Sequence, residues 1–195
     1  MRPLLHRSCL CLRGRPGLHL PANPQIGGGH LMGDLTSQLR DALIGRVAVV
    51  GVGNCDWGDD GAGTRLAAAL LAAGCPDVYV SGTTPERVCF HLPEQGFDTV
   101  LFLDATEFGG SPGSVVLLDA AGIQSRHPQV STHKISLGTL AAAMENARAV
   151  KVWLLGIQPG SIKLGGLTGP VSDTVDLLSE LLSELLQRRV EKTPL

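Results

Sequence analysis

The chain has few aromatic side chains: 4 Phe, 2 Trp and 1 Tyr among 195 residues. Without aromatic platforms on which bases could stack, a single-stranded nucleic-acid binder is excluded. A strong charge of either sign is also missing. The net charge is -2, which gives no attraction to nucleic acid or to an anionic membrane surface. No apolar run approaches the roughly 20 residues that a membrane-spanning helix needs. Cysteine is sparse and unpaired. Cys9, Cys11, Cys55, Cys75 and Cys89 form no C-x-x-C pair and no zinc-finger spacing, and their odd number leads us to expect reduced thiols in the cytoplasm; a monomer is expected separately. Cys55 reads as a small, half-buried hydrophobe. The G-x-S-x-G elbow of serine hydrolases is absent too.

Gly, Ala, Leu and Val are abundant, and 44% of residues are hydrophobic. That suffices for one compact core. Residues 1–31 differ from the rest. They carry Arg2, Arg7, Arg13 and Arg15, no acid, and breakers at Pro3, Pro16, Pro21, Pro24 and Gly27-Gly-Gly29. Leu4-Leu5 and Cys9-Leu-Cys-Leu12 are too broken for a signal-peptide core. The segment is read as a disordered extension or an over-extended start before Met32, ahead of a transit peptide. Residues 32–195 are read as one domain.

Hydrophobic periodicity predicts a regular order of elements. Helices are expected over 34–44, 60–73, 85–94 (opened by Thr84), 136–147 and 171–190, the last with Leu177, Leu178, Leu181 and Leu185 on one face. Strands are expected over 46–52, 77–81, 99–104, 114–118 and 150–156. The fourth follows a Gly109-Gly-Ser-Pro-Gly113 turn and is predicted to form a hairpin with the third. Strands separated by helices imply parallel pairing. The expected fold is therefore α/β, a three-layer α/β/α sandwich around a five-stranded, mostly parallel sheet with one antiparallel edge strand.

The segment Gly51-Val-Gly-Asn-Cys-Asp-Trp-Gly-Asp-Asp-Gly-Ala-Gly63 is the most informative. A strand enters it and a helix leaves it, as in a dinucleotide-binding turn. Asp56, Asp59 and Asp60, however, place negative charge where a phosphate would sit. The loop suits a cation. In open α/β sheets ligands bind beyond the carboxyl ends of the strands. Asp60, Asp104 and Gln158-Pro159 all fall at that edge, and His133 lies in the polar loop Ser131-Thr-His-Lys-Ile-Ser136. Asp60, Asp104 and His133 together would suit a borderline divalent metal such as nickel, zinc or iron. Each also has a plainer reading. Asp59 reads as a helix N-cap. Asp60 could serve the helix dipole, and His133 could be a surface histidine. Asp104, a carboxylate ending a buried strand, is the hardest to explain without a function. A Cys55–His133 dyad is the competing catalytic arrangement.

Several motifs together resemble the [NiFe]-hydrogenase maturation endopeptidases. They are Gly51-Val-Gly-Asn54 with Gly58-Asp-Asp-Gly-Ala-Gly63, Gly82-Thr-Thr-Pro-Glu86, Leu103-Asp-Ala105 with Gly109-Gly-Ser-Pro-Gly113, Ser131-Thr-His133 and Leu155-Gly-Ile-Gln-Pro159. The second and last are most similar to the branch acting on hydrogenase-3-type large subunits. Gly165-Gly-Leu-Thr-Gly-Pro-Val171 departs from the family's usual continuation. The resemblance implies a peptidase that cuts a C-terminal peptide from the nickel-loaded large-subunit precursor. It also implies that Asp60, Asp104 and His133 contact that nickel, which the precursor supplies and the enzyme does not hold tightly. A non-catalytic, nickel-sensing module binding the same precursor is the alternative.

Overall fold

The computed structural model describes residues 35–126, 136–147 and 150–190. Five strands form one sheet: β1 Val47–Val52, β2 Val78–Gly82, β3 Thr99–Ala105, β4 Val115–Asp119 and β5 Lys151–Ile157. Their order is β2-β1-β3-β5-β4. β1 pairs in parallel with β2 and β3, β3 pairs in parallel with β5, and β4 lies antiparallel on β5. The expected α/β/α sandwich with one antiparallel edge strand is the observed fold.

Alternation along the strands builds two separate cores. Val47, Val49, Leu101, Leu103 and Leu155 face one side. There they meet α1 (Leu35–Ala42), α2 (Ala62–Ala72) and α6 (Gly169–Val190). Ala48, Val50, Val100, Phe102 and Leu154 face the other. Their partners come from α3 (Glu86–Cys89), α4 (Ala120–Arg126) and α5 (Leu137–Ala147). β1 and β3, buried along nearly their whole length, are central because both their faces are covered.

Three expectations are corrected. The hairpin between the third and fourth strands does not form: β5 lies between β3 and β4. β5 is buried along most of its length, whereas β4 is only partly buried, so β5 takes the interior place and β4 the edge. The helix predicted over 85–94 splits into α3 and a 3-10 turn at Leu92–Gln95. Pro93 lacks an amide proton and would clash with the carbonyl four residues back, which prevents a continuous α-helix. Pro85 takes the cap position ahead of α3, with no side-chain cap bond, in place of the expected Thr84. On α6 the buried stripe runs through Val171, Val175, Leu178, Leu182, Leu185 and Leu186, with Leu181 at its margin and Leu177 half-buried.

α4 was not anticipated. Its one fully buried apolar residue, Ile123, gives no helical period to read. Asp34, Met32 and residues 1–31 lie outside the described residues, as does His133.

Candidate active site

From β1 the chain crosses to β2 on one side, and from β2 it returns past β1 to β3 on the other. The crevice beyond the carboxyl ends of β1 and β3 is thus the switch point of the sheet, where such folds bind ligands.

β1 runs into Gly53, whose φ of +119° is glycine territory. A Cβ here would lie 1.8 Å from the carbonyl oxygen of Asp60. Only glycine lets the 3-10 turn Gly58–Gly61 fold back over the strand end. The Asn54 amide then donates to Asp60 Oδ2 at 2.8 Å, and the Thr64 hydroxyl donates to the Gly53 carbonyl at 2.7 Å. Gly63, in the first turn of α2, sits against β3. A Cβ there would come within 2.0 Å of the Leu103 carbonyl oxygen. These close approaches bring Asp60 to the end of β3, where Asp104 lies.

Asp104 is 5% exposed. Burial pushes its carboxyl well above the usual carboxylate range, and the negative charge of Asp60 pushes it further, while the Ala105 backbone acts in the opposite direction. Two carboxylates in one poorly solvated crevice repel each other, and a cation between them would relieve the repulsion. Among the described residues no three His, Cys, Asp or Glu side chains gather to hold a metal. The structure therefore brings together Asp60 and Asp104. His133 lies outside the described residues, and the Cys55–His133 dyad with it. Ser136, three positions further on, precedes α5. α5 leads into β5, parallel to β3, so the helix starts at the same carboxyl edge, on the face carrying Phe102 and Asp104.

Asp59 is not an N-cap. It is fully buried and serves as an anchor. Oδ2 accepts from the Gly160 and Ser161 amides at 2.8 and 2.9 Å and from the Thr168 hydroxyl at 2.8 Å, and Oδ1 accepts from the Thr168 amide. Burial pushes this carboxyl up, but bonds from Thr168, Ser161 and Gly160 outweigh it and hold the pKa below the ordinary value. Two backbone bonds with Gly165 and one with Ser161 join the Asp56–Asp59 loop to the 160–168 loop. The paired loops expose Trp57, Ile162 and Leu164 beside the crevice. Gln158, at the expected edge, is used structurally. Its amide group binds Glu107 and the amides of Phe108 and Gly110.

Two further polar atoms went unnoticed in the sequence. Thr106 Oγ1 and Glu86 Oε2 are buried and lack a hydrogen-bond partner among the described residues. Nothing local marks either one, since a hydroxyl or carboxyl is orphaned only by its tertiary surroundings. Cys55 is half-buried as expected. A cavity of about 250 Å³ between α3 and α5, lined by Phe90, Leu140 and Met144 among others, contains neither carboxylate.

Comparison with known proteins gives a consistent result. The family model described as hydrogenase maturation protease matches residues 65–185, a span that includes Asp104 and begins after Asp60. The hydrogenase 3 maturation protease of Escherichia coli K12 is 32% identical over 134 residues, covering 67% of this chain and 85% of that one. A crystal structure of a [NiFe] hydrogenase maturation protease from Thermococcus kodakarensis superposes with a TM-score of 0.69 at 29% identity, covering 77% of this chain and 99% of that one. The crystal structure of a hydrogenase 3 maturation protease gives 0.62 at 30% identity, covering 69% and 87%.

Proposed function

Because this chain belongs to the hydrogenase maturation protease family, we propose that it removes a C-terminal peptide from the nickel-loaded large-subunit precursor of a [NiFe] hydrogenase. The chain is a peptidase of this family; the cleaved end and the nickel are the proposed part. The observation that carries the proposal is the juxtaposition of Asp60 and Asp104 at the switch point, where the negative charge of Asp60 adds to the cost of a buried charge on Asp104. Nickel enters as part of the substrate, held by the precursor, and Asp60, Asp104 and His133 complete its contacts. This suits the donor set, since oxygen and imidazole ligands bind a borderline cation.

The exposed Trp57, Ile162 and Leu164 offer an apolar rim to the polypeptide near the bond to be cut. Hydrolysis consumes one water. Its oxygen joins the carbonyl carbon, the C–N bond breaks, and the leaving amine takes a proton. A carboxylate at the crevice accepts the proton of the water and returns it to the amine.

The experiment is mass spectrometry of a nickel-loaded large-subunit precursor incubated with this protein or with Asp60→Ala. A discrete C-terminal truncation is expected only with the unmodified protein and only with nickel present. An uncut precursor that still forms a complex would overturn the catalytic reading.

A further inference from the structure

Four threonines are buried among the described residues: Thr64, Thr99, Thr106 and Thr174. Three of them give their hydroxyl proton to a backbone carbonyl. Thr64 donates to Gly53 at 2.7 Å, Thr99 to Ile44 at 2.7 Å and Thr174 to Gly113 at 2.8 Å. Thr106 is 5% exposed, and its Oγ1 has no partner among the described residues. A buried hydroxyl left unpaired is costly and uncommon.

Its position explains what it is for. Thr106 directly follows the last residue of β3, two positions beyond Asp104, and the glycine opposite Asp104 shows which face its side chain takes. The register partner of Asp104 on β5 is Gly156. A Cβ on Gly156 would meet both Cβ and Oγ1 of Thr106 at 2.8 Å. Thr106 therefore leans over a bare glycine backbone, next to Asp104. The Thr106 amide donates to the Ile157 carbonyl at 2.9 Å, which fixes its backbone. The hydroxyl is thus held in place at the carboxyl edge and is not used by the fold.

We propose that Thr106 is a substrate-contacting residue of the peptidase, its hydroxyl binding an oxygen atom held beside Asp104. A hydroxyl can donate to a peptide carbonyl or accept from a water, so the shared chemistry is an oxygen at hydrogen-bond distance from Oγ1. The proposal rests on the site reading above. It assigns a role to a residue outside the Asp60, Asp104 and His133 set.

Three variants test it with the nickel-loaded precursor. Thr106→Val keeps the volume and removes the hydroxyl, Thr106→Ser keeps the hydroxyl, and Gly156→Ala crowds it. Loss of one neutral hydrogen bond predicts a roughly three- to tenfold fall in kcat/KM for Thr106→Val. Most of that activity should return in Thr106→Ser. The melting temperature of Thr106→Val should not fall, because no bond within the protein is lost. A drop in kcat alone identifies the attacking water as the oxygen, and a rise in KM alone identifies the substrate carbonyl. Wild-type kcat and KM in Thr106→Val would overturn the proposal. So would loss of melting temperature in Thr106→Val without recovery in Thr106→Ser, the mark of a structural role. A high-resolution crystal structure gives a readout independent of turnover. An ordered water on Thr106 Oγ1 beside Asp104 is expected in the unmodified protein and not in Thr106→Val, and a dry hydroxyl would overturn the proposal. If the unmodified protein leaves the precursor whole, the functional reading falls, and the crystal result alone decides whether Thr106 binds an oxygen.

Discussion

Asp59 and Thr168, 109 positions apart, are joined twice: the Thr168 amide donates to Oδ1 and the Thr168 hydroxyl to Oδ2 at 2.8 Å. With Gly160 and Ser161 on the same carboxylate, the loop after β5 is fixed to the loop after β1. Asp59→Ala would leave three amides and a hydroxyl without their acceptor. A loss of about 3 kcal/mol is expected, read as a lower urea midpoint at unchanged slope.

The same carboxylate gives a signed pH dependence. Its folded-state pKa lies below the ordinary value, so its stabilisation is complete above the ordinary aspartate range, near 4. The contribution is lost as the pH falls through the lowered folded-state value. As the pH falls from about 5 through that lowered value, the unmodified protein should lose more stability than Asp59→Asn. Parallel acid-unfolding curves for the two proteins would show that Asp59 is bound no better charged than neutral.

Asp104→Asn is expected to abolish processing without unfolding the protein. The amide keeps the shape and removes a buried charge that burial and Asp60 both disfavour. Its melting temperature should equal or exceed that of the unmodified protein. Cleavage of the precursor by this variant would remove Asp104 from the mechanism.

Gly63→Ala pits two effects against each other. Alanine in a helix is favoured over glycine by about 1 kcal/mol. Here, however, the added Cβ would lie 2.0 Å from the Leu103 carbonyl oxygen and 2.6 Å from that of Val52. Both are backbone atoms of central strands, which cannot yield cheaply, and overpacking of this kind costs about 1–3 kcal/mol. The clash should win, giving a lower urea midpoint and slower processing, because α2 and the end of β3 move apart. A more stable Gly63→Ala would show that helix and strand separate freely.

Cys89 is 1% exposed, and its thiol is pushed up to about 12 by burial first and by the charge of Glu86 second. Thiolate is the reactive form, so alkylation of Cys89 in the native protein near neutral pH should be slow. Half-buried Cys55 should react well before it. Peptide mapping by mass spectrometry during a time course of iodoacetamide treatment measures both rates. Equal rates would show that the α3 region opens readily.

The positions of the five strands along the chain, the buried character of β1 and β3, the antiparallel edge strand and the placement of Asp60 and Asp104 at one edge were all legible in the sequence. Each rests on local patterns: apolar runs of strand length, glycines at forced turns, a carboxylate ending an apolar run. The motifs also carried the family, because their order and spacing persist along the chain. The interior place of β5 was not legible, since a turn of suitable length after β3 cannot report that a later, more buried strand will take the position beside it. Asp59 looked like a cap from its neighbours and became an anchor through Thr168, over a hundred residues away. Likewise, Thr106 could be seen as unpaired only once Gly156 lay across from Asp104. Local sequence determined which segments became strands and helices; pairing, burial and the fate of each polar group were decided by tertiary structure, because those energies depend on residues that meet only after the chain has folded.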